Sequence, residues 1–149
     1  MKNINNFINE KLSENSLKPK NKNELLSTIA ERIKQDGNEC DLNDIDTSLI
    51  TDMSELFSGS KFNGDISKWN VSNVKDMSYM FSESTFNGEI WEWNIGKVED
   101  MSYMFADSEF DDSISQWNLQ KVKYTDMMFL NCPLEFENEK WPKNYHADN

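Results

Sequence analysis

The stretch "NVSNVKDMSYMFSESTFNG" at residues 70–88 returns 24 residues later as "NIGKVEDMSYMFADSEFDD" at residues 94–112. Steps of 24 along the chain, without any insertion, align large apolar residues in six columns. The columns are Trp69, Trp93, Trp117 and Trp141; Ile50, Val74, Val98 and Val122; Phe57, Phe81, Phe105 and Phe129; Phe62, Phe86, Phe110 and Leu134; Leu42, Ile66, Ile90 and Ile114; and Thr47, Val71, Ile95 and Leu119. A fixed period of this length is typical of proteins whose repeats are stable only when stacked.

The pattern within one repeat predicts its local structure. "ISKWNVSNV" at residues 66–74 predicts a short strand. Asp76 is placed to cap a helix, and the i, i+3, i+4 spacing of apolar residues in 77–81 predicts a short helix. In the fourth repeat this helix is predicted to start near Thr125. The sequence therefore predicts an α/β solenoid, leucine-rich-repeat-like, of four stacked 24-residue coils, each with a short parallel strand and a short helix.

The ends of the chain depart from the repeat pattern. We predict an N-terminal helical cap at residues 1–40, the four-coil solenoid at 41–134, and a C-terminal cap and tail at 135–149. Within the N-terminal cap, "KNELLSTIAERIKQDG" predicts a helix with Asn21 and Glu24 as a capping box and Gly37 as its stop. A second short helix is predicted from four apolar residues: Ile4, Phe7, Ile8 and Leu12.

Charge and hydropathy restrict the classes of function. The 149 residues carry a net charge of −12; residues 1–36 hold seven Lys and Arg against five Asp and Glu, and the remainder eight against 22. This acidity disfavours direct binding of nucleic acid and favours basic protein partners, although it also serves solubility. No apolar run is long enough for a membrane span, and no secretory signal is evident. The expected location is the cytoplasm, or the cell surface or exterior if a signal was removed from the native chain.

The sequence offers no set of residues typical of catalysis. Cys40 and Cys132 are too far apart in the predicted stack for an intramolecular disulfide, and they do not form a zinc pattern. Asp52, Asp76 and Asp100 form an acidic column that we interpret as helix caps rather than a metal site. No nucleophile and base pair stands out, so we expect a protein that is not an enzyme and uses no cofactor or metal.

The repeat "FNGDISKWNVSNVKDMSYMF" resembles that of the BspA-type leucine-rich-repeat proteins of bacteria, many of which are described as surface proteins or lipoproteins. The motif W-[ND]-V-S-N-V-x-D-M-S-x-M-F stands at residues 69–81, a looser copy runs from 93 to 105, and the pattern covers 42–141. The resemblance implies a scaffold for ligand binding or adhesion that carries no shared catalytic residues.

One face of the predicted coils is the candidate binding surface. Trp91 lies in a column otherwise filled by Asn43, Ser67 and Ser115, and it is expected to be exposed as a hot spot or half-buried across a neighbouring coil. The other predicted partner-binding residues are polar: Asp46, Lys68, Asn70, Glu92, Asn94, Gln116 and Asn118. Among these, the three asparagines are interpreted first as an amide ladder. A second candidate surface contains Tyr79, Tyr103 and Met127.

Function is predicted as a non-enzymatic protein–protein interaction module whose partner binds the strand face. One alternative is an acidic inhibitor, of the phage counter-defence or immunity type, that masks a basic nucleic-acid-binding protein. Another is a fragment of a surface adhesin. A carbohydrate-active enzyme is the weakest alternative, because no carboxylate pair stands out among the 27 acidic residues.

Overall fold

The computed structural model describes residues 17–147. Within this range it contains one α-helix, α1 (Lys22–Asp36), and two short 3-10 helices, Pro133–Phe136 and Asn138–Lys140. The rest of the described chain consists of turns, bends and isolated bridges, without a β-strand. The second N-terminal helix, predicted at 4–12, lies outside the described residues.

The predicted solenoid of strand-plus-helix coils is wrong for residues 17–147. Where a helix was predicted at 77–81, the Met80 N–H donates to the Met77 carbonyl at 3.2 Å, which closes a four-residue turn. The third residue of that turn, Tyr79, has φ 57°, and Glu83 has φ 56° in the turn that follows. An α-helix needs negative φ throughout and bonds to the fourth preceding carbonyl. These segments satisfy neither condition.

The hydrogen-bond acceptors of the backbone N–H groups explain why turns replace the predicted helix. Alternate N–H groups leave the repeat and donate to the following one at 2.9 Å: Met77 to Asp100, Tyr79 to Ser102, and Phe81 to Met104. A helix of about seven residues has little stability of its own, and Ser and Asp compete for its backbone groups. The i, i+3, i+4 spacing suits a pair of turns as well as a helix, because both keep the apolar residues buried.

The predicted strand is also replaced by turns. Trp69 N–H donates to the Ile66 carbonyl at 3.1 Å, and Val74 N–H donates to the Val71 carbonyl at 3.0 Å. Only Asn70 remains between these two turns, which is too short for a strand. Backbone pairing between repeats is confined to isolated parallel bridges, three of which form one row: Asp52 with Asp76, Asp76 with Asp100, and Asp100 with Tyr124.

Side chains 24 residues apart pack together in the core. The rings of one phenylalanine column stack at centroid distances of 5.6, 5.7 and 6.0 Å: Phe57 on Phe81, Phe81 on Phe105, and Phe105 on Phe129. Buried indoles also bond each repeat to the one before it, at 2.9, 3.1 and 3.2 Å: Trp69 Nε1 to Leu42 O, Trp93 Nε1 to Ile66 O, and Trp117 Nε1 to Ile90 O. The 24-residue register is therefore held by both ring packing and hydrogen bonds.

Helix α1 ends as its sequence predicts and begins with half of the predicted capping box. The Asn21 side chain accepts from the Glu24 N–H at 3.0 Å, and Gly37, at φ 87°, donates its N–H to the Ile33 carbonyl. The Glu24 carboxylate accepts from the Lys20 N–H at 2.7 Å, one residue earlier than a capping box requires. Two residues of the helix are buried in the core: Leu25 and Ile29.

The fourth repeat ends in a change of register. The helix predicted from Thr125 is wrong, because Met128 N–H donates to the Thr125 carbonyl at 3.1 Å and Met127 has φ 49°, which together form another turn. Beyond it, Trp141 keeps the ring contact of its column, with Phe129, but not the hydrogen bond to the previous repeat. Its Nε1 donates to the Leu134 carbonyl at 2.6 Å, only seven residues back.

Among residues 17–147, no helix has the length and apolar character that crossing a lipid bilayer requires.

Candidate functional site

The turn that buries Trp93 leaves Trp91 exposed to solvent. The Trp93 N–H donates to the Ile90 carbonyl at 3.1 Å, and Trp91 is the second residue of this turn. Trp91 is 43% exposed, whereas Trp93 is 4% exposed. The Trp91 indole N–H donates to no group within the described range, in contrast to the buried indoles. A large ring with an unused donor is therefore available to a partner.

The seven polar residues predicted to accompany Trp91 are all exposed: Asp46, Lys68, Asn70, Glu92, Asn94, Gln116 and Asn118. They occupy two equivalent positions of successive repeats, and the 24-residue register brings equivalent positions beside each other. We call Trp91 and these seven residues the Trp91 face. Their role in binding stays a prediction.

Each of the three asparagines of this face stabilises the turn that follows it. Each side-chain oxygen accepts the backbone N–H two residues further on, at 3.0 to 3.1 Å: Asn70 from Ser72, Asn94 from Gly96, and Asn118 from Gln120. In the described structure these bonds take the place of the predicted amide-to-amide ladder. A ladder that sequence reasoning missed runs elsewhere, where Asn63 Oδ1 accepts from the Asn87 N–H at 2.9 Å. Its sequence signal was an asparagine recurring at the 24-residue spacing.

The acidic column caps turns rather than helices. Each carboxylate accepts the N–H of the serine two residues on, at 2.8 to 2.9 Å: Asp52 from Ser54, Asp76 from Ser78, and Asp100 from Ser102. Partial burial would raise the pKa of Asp52, but hydrogen bonds from Ser54 and the charge of Lys22 outweigh it and lower the pKa. The column thus has a local structural role in every repeat that carries it.

Tyr79, Tyr103 and Met127 form a second column at the surface, in which Tyr103 is half-buried and the other two are exposed, and its backbone is unusual. Each is the third residue of its turn, at φ 57°, 56° and 49°. Tyr79 and Met127 are 41% and 53% exposed, and the two tyrosine rings stack at 4.8 Å with 3° between their planes. Bulky residues are disfavoured at positive φ, where glycine or asparagine fits without strain. The positive φ of these bulky residues therefore costs some stability, and the Tyr79 ring and the Met127 side chain remain exposed.

The same column borders a groove at the end of the fourth repeat. The groove encloses about 570 Å³, and six of the residues that line it are Tyr79, Tyr103, Asp126, Met127, Glu135 and Trp141. Trp141 supplies one wall, and it stacks on Phe129 at 6.1 Å just as Trp69 stacks on Phe57 at 5.9 Å. We call this feature the terminal groove. Sequence reasoning found its tyrosines but missed the contribution of the C-terminal segment.

The two cysteines are free, buried thiols, so no disulfide joins Cys40 to Cys132. Burial raises the pKa of the Cys132 thiol to about 11 and also raises that of Cys40 above its usual range. A thiol with a raised pKa carries little thiolate at neutral pH. Neither cysteine has the properties of a nucleophile.

Comparisons with known proteins bear on the repeated region. Neither the curated proteins nor the solved structures gave a match. A family model does match, over residues 25–141 of the 149, and its description reads "Mycoplasma protein of unknown function, DUF285". Since this match spans most of the sequence, the chain belongs to the DUF285 family.

Proposed function

We propose that this protein is a non-enzymatic protein–protein interaction module that binds its partner through the Trp91 face. The observation that carries this proposal is the 43% exposure of Trp91. Tryptophan is enriched among the few interface residues that dominate binding energy. Leaving so large an apolar ring in water loses the favourable free energy of burial, which a bound partner would recover.

The surroundings of Trp91 resemble the composition of a protein interface. Polar and charged residues, among them Lys68, Glu92 and Gln116, occupy neighbouring positions. A central aromatic residue within a polar rim is the usual arrangement of an interface. The Trp91 face therefore offers positive and negative side chains to orient a partner and the Trp91 ring to contribute affinity.

Replacing Trp91 with alanine should weaken partner binding at least tenfold without destabilising the fold. The ring contributes to the interface, whereas exposed substitutions usually change stability by less than about 0.5 kcal/mol. Affinity capture from host lysate, quantified by mass spectrometry, measures the first effect, and urea unfolding measures the second. Tyr124→Ala is the matched control, because Tyr124 is exposed and lies outside the Trp91 face. Unchanged capture by Trp91→Ala would remove this face from consideration.

Net charge favours a second candidate function, the acidic inhibitor that masks a basic nucleic-acid-binding protein. The chain carries a net charge of −12. If charge supplies the affinity, the partner should dissociate steeply as salt rises, because the Debye length shrinks from about 10 Å at 0.1 M to about 3 Å at 1 M. Washing the captured complex at increasing NaCl concentration makes the measurement. A partner retained at 1 M NaCl would rule out the inhibitor and leave the aromatic interface.

The repeated phrase also supports the relation to BspA-type repeat proteins and, with it, the alternative of a surface adhesin fragment. The supporting feature is the W-N-V-S-N-V-K-D-M-S-Y-M-F run at residues 69–81. Cellular location separates this alternative from an interaction module in the cytoplasm. Labelling of intact cells with a membrane-impermeant amine reagent should modify an adhesin and leave a cytoplasmic protein unlabelled.

A further inference from the structure

The first three repeats each donate a row of backbone hydrogen bonds to the next repeat. The donors lie two residues apart, and in the first repeat the four distances are 2.8 to 2.9 Å: Met53 to Asp76, Glu55 to Ser78, Phe57 to Met80, and Gly59 to Ser82. The second and third repeats repeat this row at equivalent positions. Every inner repeat thus presents donors in one direction.

The fourth repeat presents the same row with no repeat beyond it. The equivalent N–H groups belong to Thr125, Met127, Phe129 and Asn131. The Asn131 N–H donates to the Glu135 carboxylate at 3.1 Å. The other three N–H groups donate to nothing in the part of the chain that the structure describes. Phe129 is only 2% exposed, so water has little access to its N–H, and an unpaired sheltered donor is unfavourable.

We infer that an extended, basic peptide segment of a partner protein binds along the edge of the fourth repeat and in the terminal groove, which Met127 and Phe129 line. Its carbonyl oxygens accept from the N–H groups of Thr125, Met127 and Phe129. This site is separate from the Trp91 face and goes beyond the function proposed for it. An extended peptide presents carbonyls on one side at every second residue, which is the spacing of the donors. Addition of a peptide along an exposed backbone edge is a common mode of recognition.

A second copy of the chain does not fit this edge in a symmetric pairing. The carbonyls of the same three residues are already used inside the repeat: Thr125 O accepts from Met128, Met127 O from Leu130, and Phe129 O from Cys132. The edge therefore offers donors without acceptors. Two copies whose donor edges face each other would set donors against donors, whereas a peptide supplies acceptors.

The lining of the groove indicates the side chains of the peptide. Its charged lining residues are Asp126 and Glu135, both acidic. Beside them lie the stacked faces of Tyr79 and Tyr103 and the indole of Trp141. A guanidinium or ammonium group bonds strongly to carboxylates and is attracted to aromatic faces. Arginine or lysine on the peptide suits both features of the groove.

Fluorescence anisotropy with the full chain and a labelled eight-residue peptide of alternating Arg and Val tests this inference. We expect saturable binding, at least tenfold weaker binding of a matched Glu and Val peptide, and at least tenfold weaker binding by Thr125→Pro. Proline removes the N–H of residue 125, which has no internal partner to lose. Thr125→Val keeps the N–H and should bind as the natural chain does, and Trp91→Ala should bind equally well.

Two further measurements keep the test decisive if Thr125→Pro does not fold, as judged by circular dichroism. A peptide in which esters replace alternate amides has weaker carbonyl acceptors and should lose affinity in the same way. Asp126→Asn should weaken the Arg and Val peptide at least threefold. Equal binding of the acidic peptide, or full affinity of the ester peptide, would overturn the inference. The inference would also be overturned if the peptide bound only after removal of residues 1–16, because the groove would then be a site for this chain's own N-terminal segment. It would be overturned as well if peptide binding dissociated a dimer, because the groove would then be a site for a second copy of the chain.

Discussion

Replacing Phe81 with alanine should lower the free energy of unfolding by about 3–5 kcal/mol. The Phe81 ring has no exposed surface and lies between two rings of its column, 5.6 Å from Phe57 and 5.7 Å from Phe105. It also stacks on Phe86 at 4.4 Å. The substitution would leave a cavity at the centre of the second repeat, at the point where this repeat contacts the first and third repeats. Since small proteins are stable by about 5–15 kcal/mol, the loss is a large share of the total.

Urea denaturation followed by circular dichroism measures this loss. Tyr79→Ala is the matched control, because Tyr79 is an aromatic residue of the same repeat that is exposed rather than buried. We expect Tyr79→Ala to change stability by only about 1 kcal/mol, through the loss of its stacking on Tyr103. If Phe81→Ala cost no more than the control, the phenylalanine column would not be the source of stability.

Replacing Gly64 with alanine should destabilise the protein by about 3 kcal/mol, the upper end of the range for overpacking, or prevent folding. A Cβ atom at Gly64 would overlap the backbone carbonyl oxygen of Cys40 and lie 2.7 Å from the Phe62 ring. The Cys40 carbonyl also accepts from the Asp65 N–H at 3.2 Å, so it cannot move away freely. The clash falls where the chain after α1 meets the first repeat.

Gly59→Ala separates this steric effect from the general cost of replacing glycine. Gly59 has φ 66°, and nothing lies within 4 Å of the Cβ it would gain. Its replacement should cost about 1–2 kcal/mol through backbone strain alone. Thermal unfolding of the two variants side by side provides the comparison. Equal losses would show that the backbone approach at Gly64 is not tight.

The pattern of buried residues was predictable from the sequence, while the local backbone was not. The period of 24 identified residues such as Phe81 and Trp93 as core, and both are buried. The same period could not distinguish a helix from a pair of turns, because apolar residues at i, i+3 and i+4 suit both. Positive φ at Tyr79 has no sequence signal, since tyrosine is disfavoured there. Helix α1 was predictable because its caps involve residues only a few positions apart.

The two candidate surfaces also differ in how far the sequence predicts them. Trp91 stands out because it interrupts a column of small polar residues, and a break in a period is visible in a single sequence. The terminal groove includes Trp141, which stacks on Phe129 as the earlier tryptophans stack on theirs but donates its indole N–H to Leu134 instead of to the previous repeat. Pro133 was an available signal, because the equivalent residue Glu109 donates its N–H to the previous repeat and proline has no N–H to donate. The path of the chain after this break depends on long-range packing that the local sequence does not specify.

The one-way row of backbone donors gives the molecule a polarity, because each repeat receives hydrogen bonds on one side and gives them on the other. Such an arrangement can grow or shrink by duplication or loss of an entire 24-residue unit, since the new neighbours then meet the same donors and acceptors. An insertion of any other length would displace every later phenylalanine from its column. Descendants of such a gene should therefore differ in size by multiples of 24 residues.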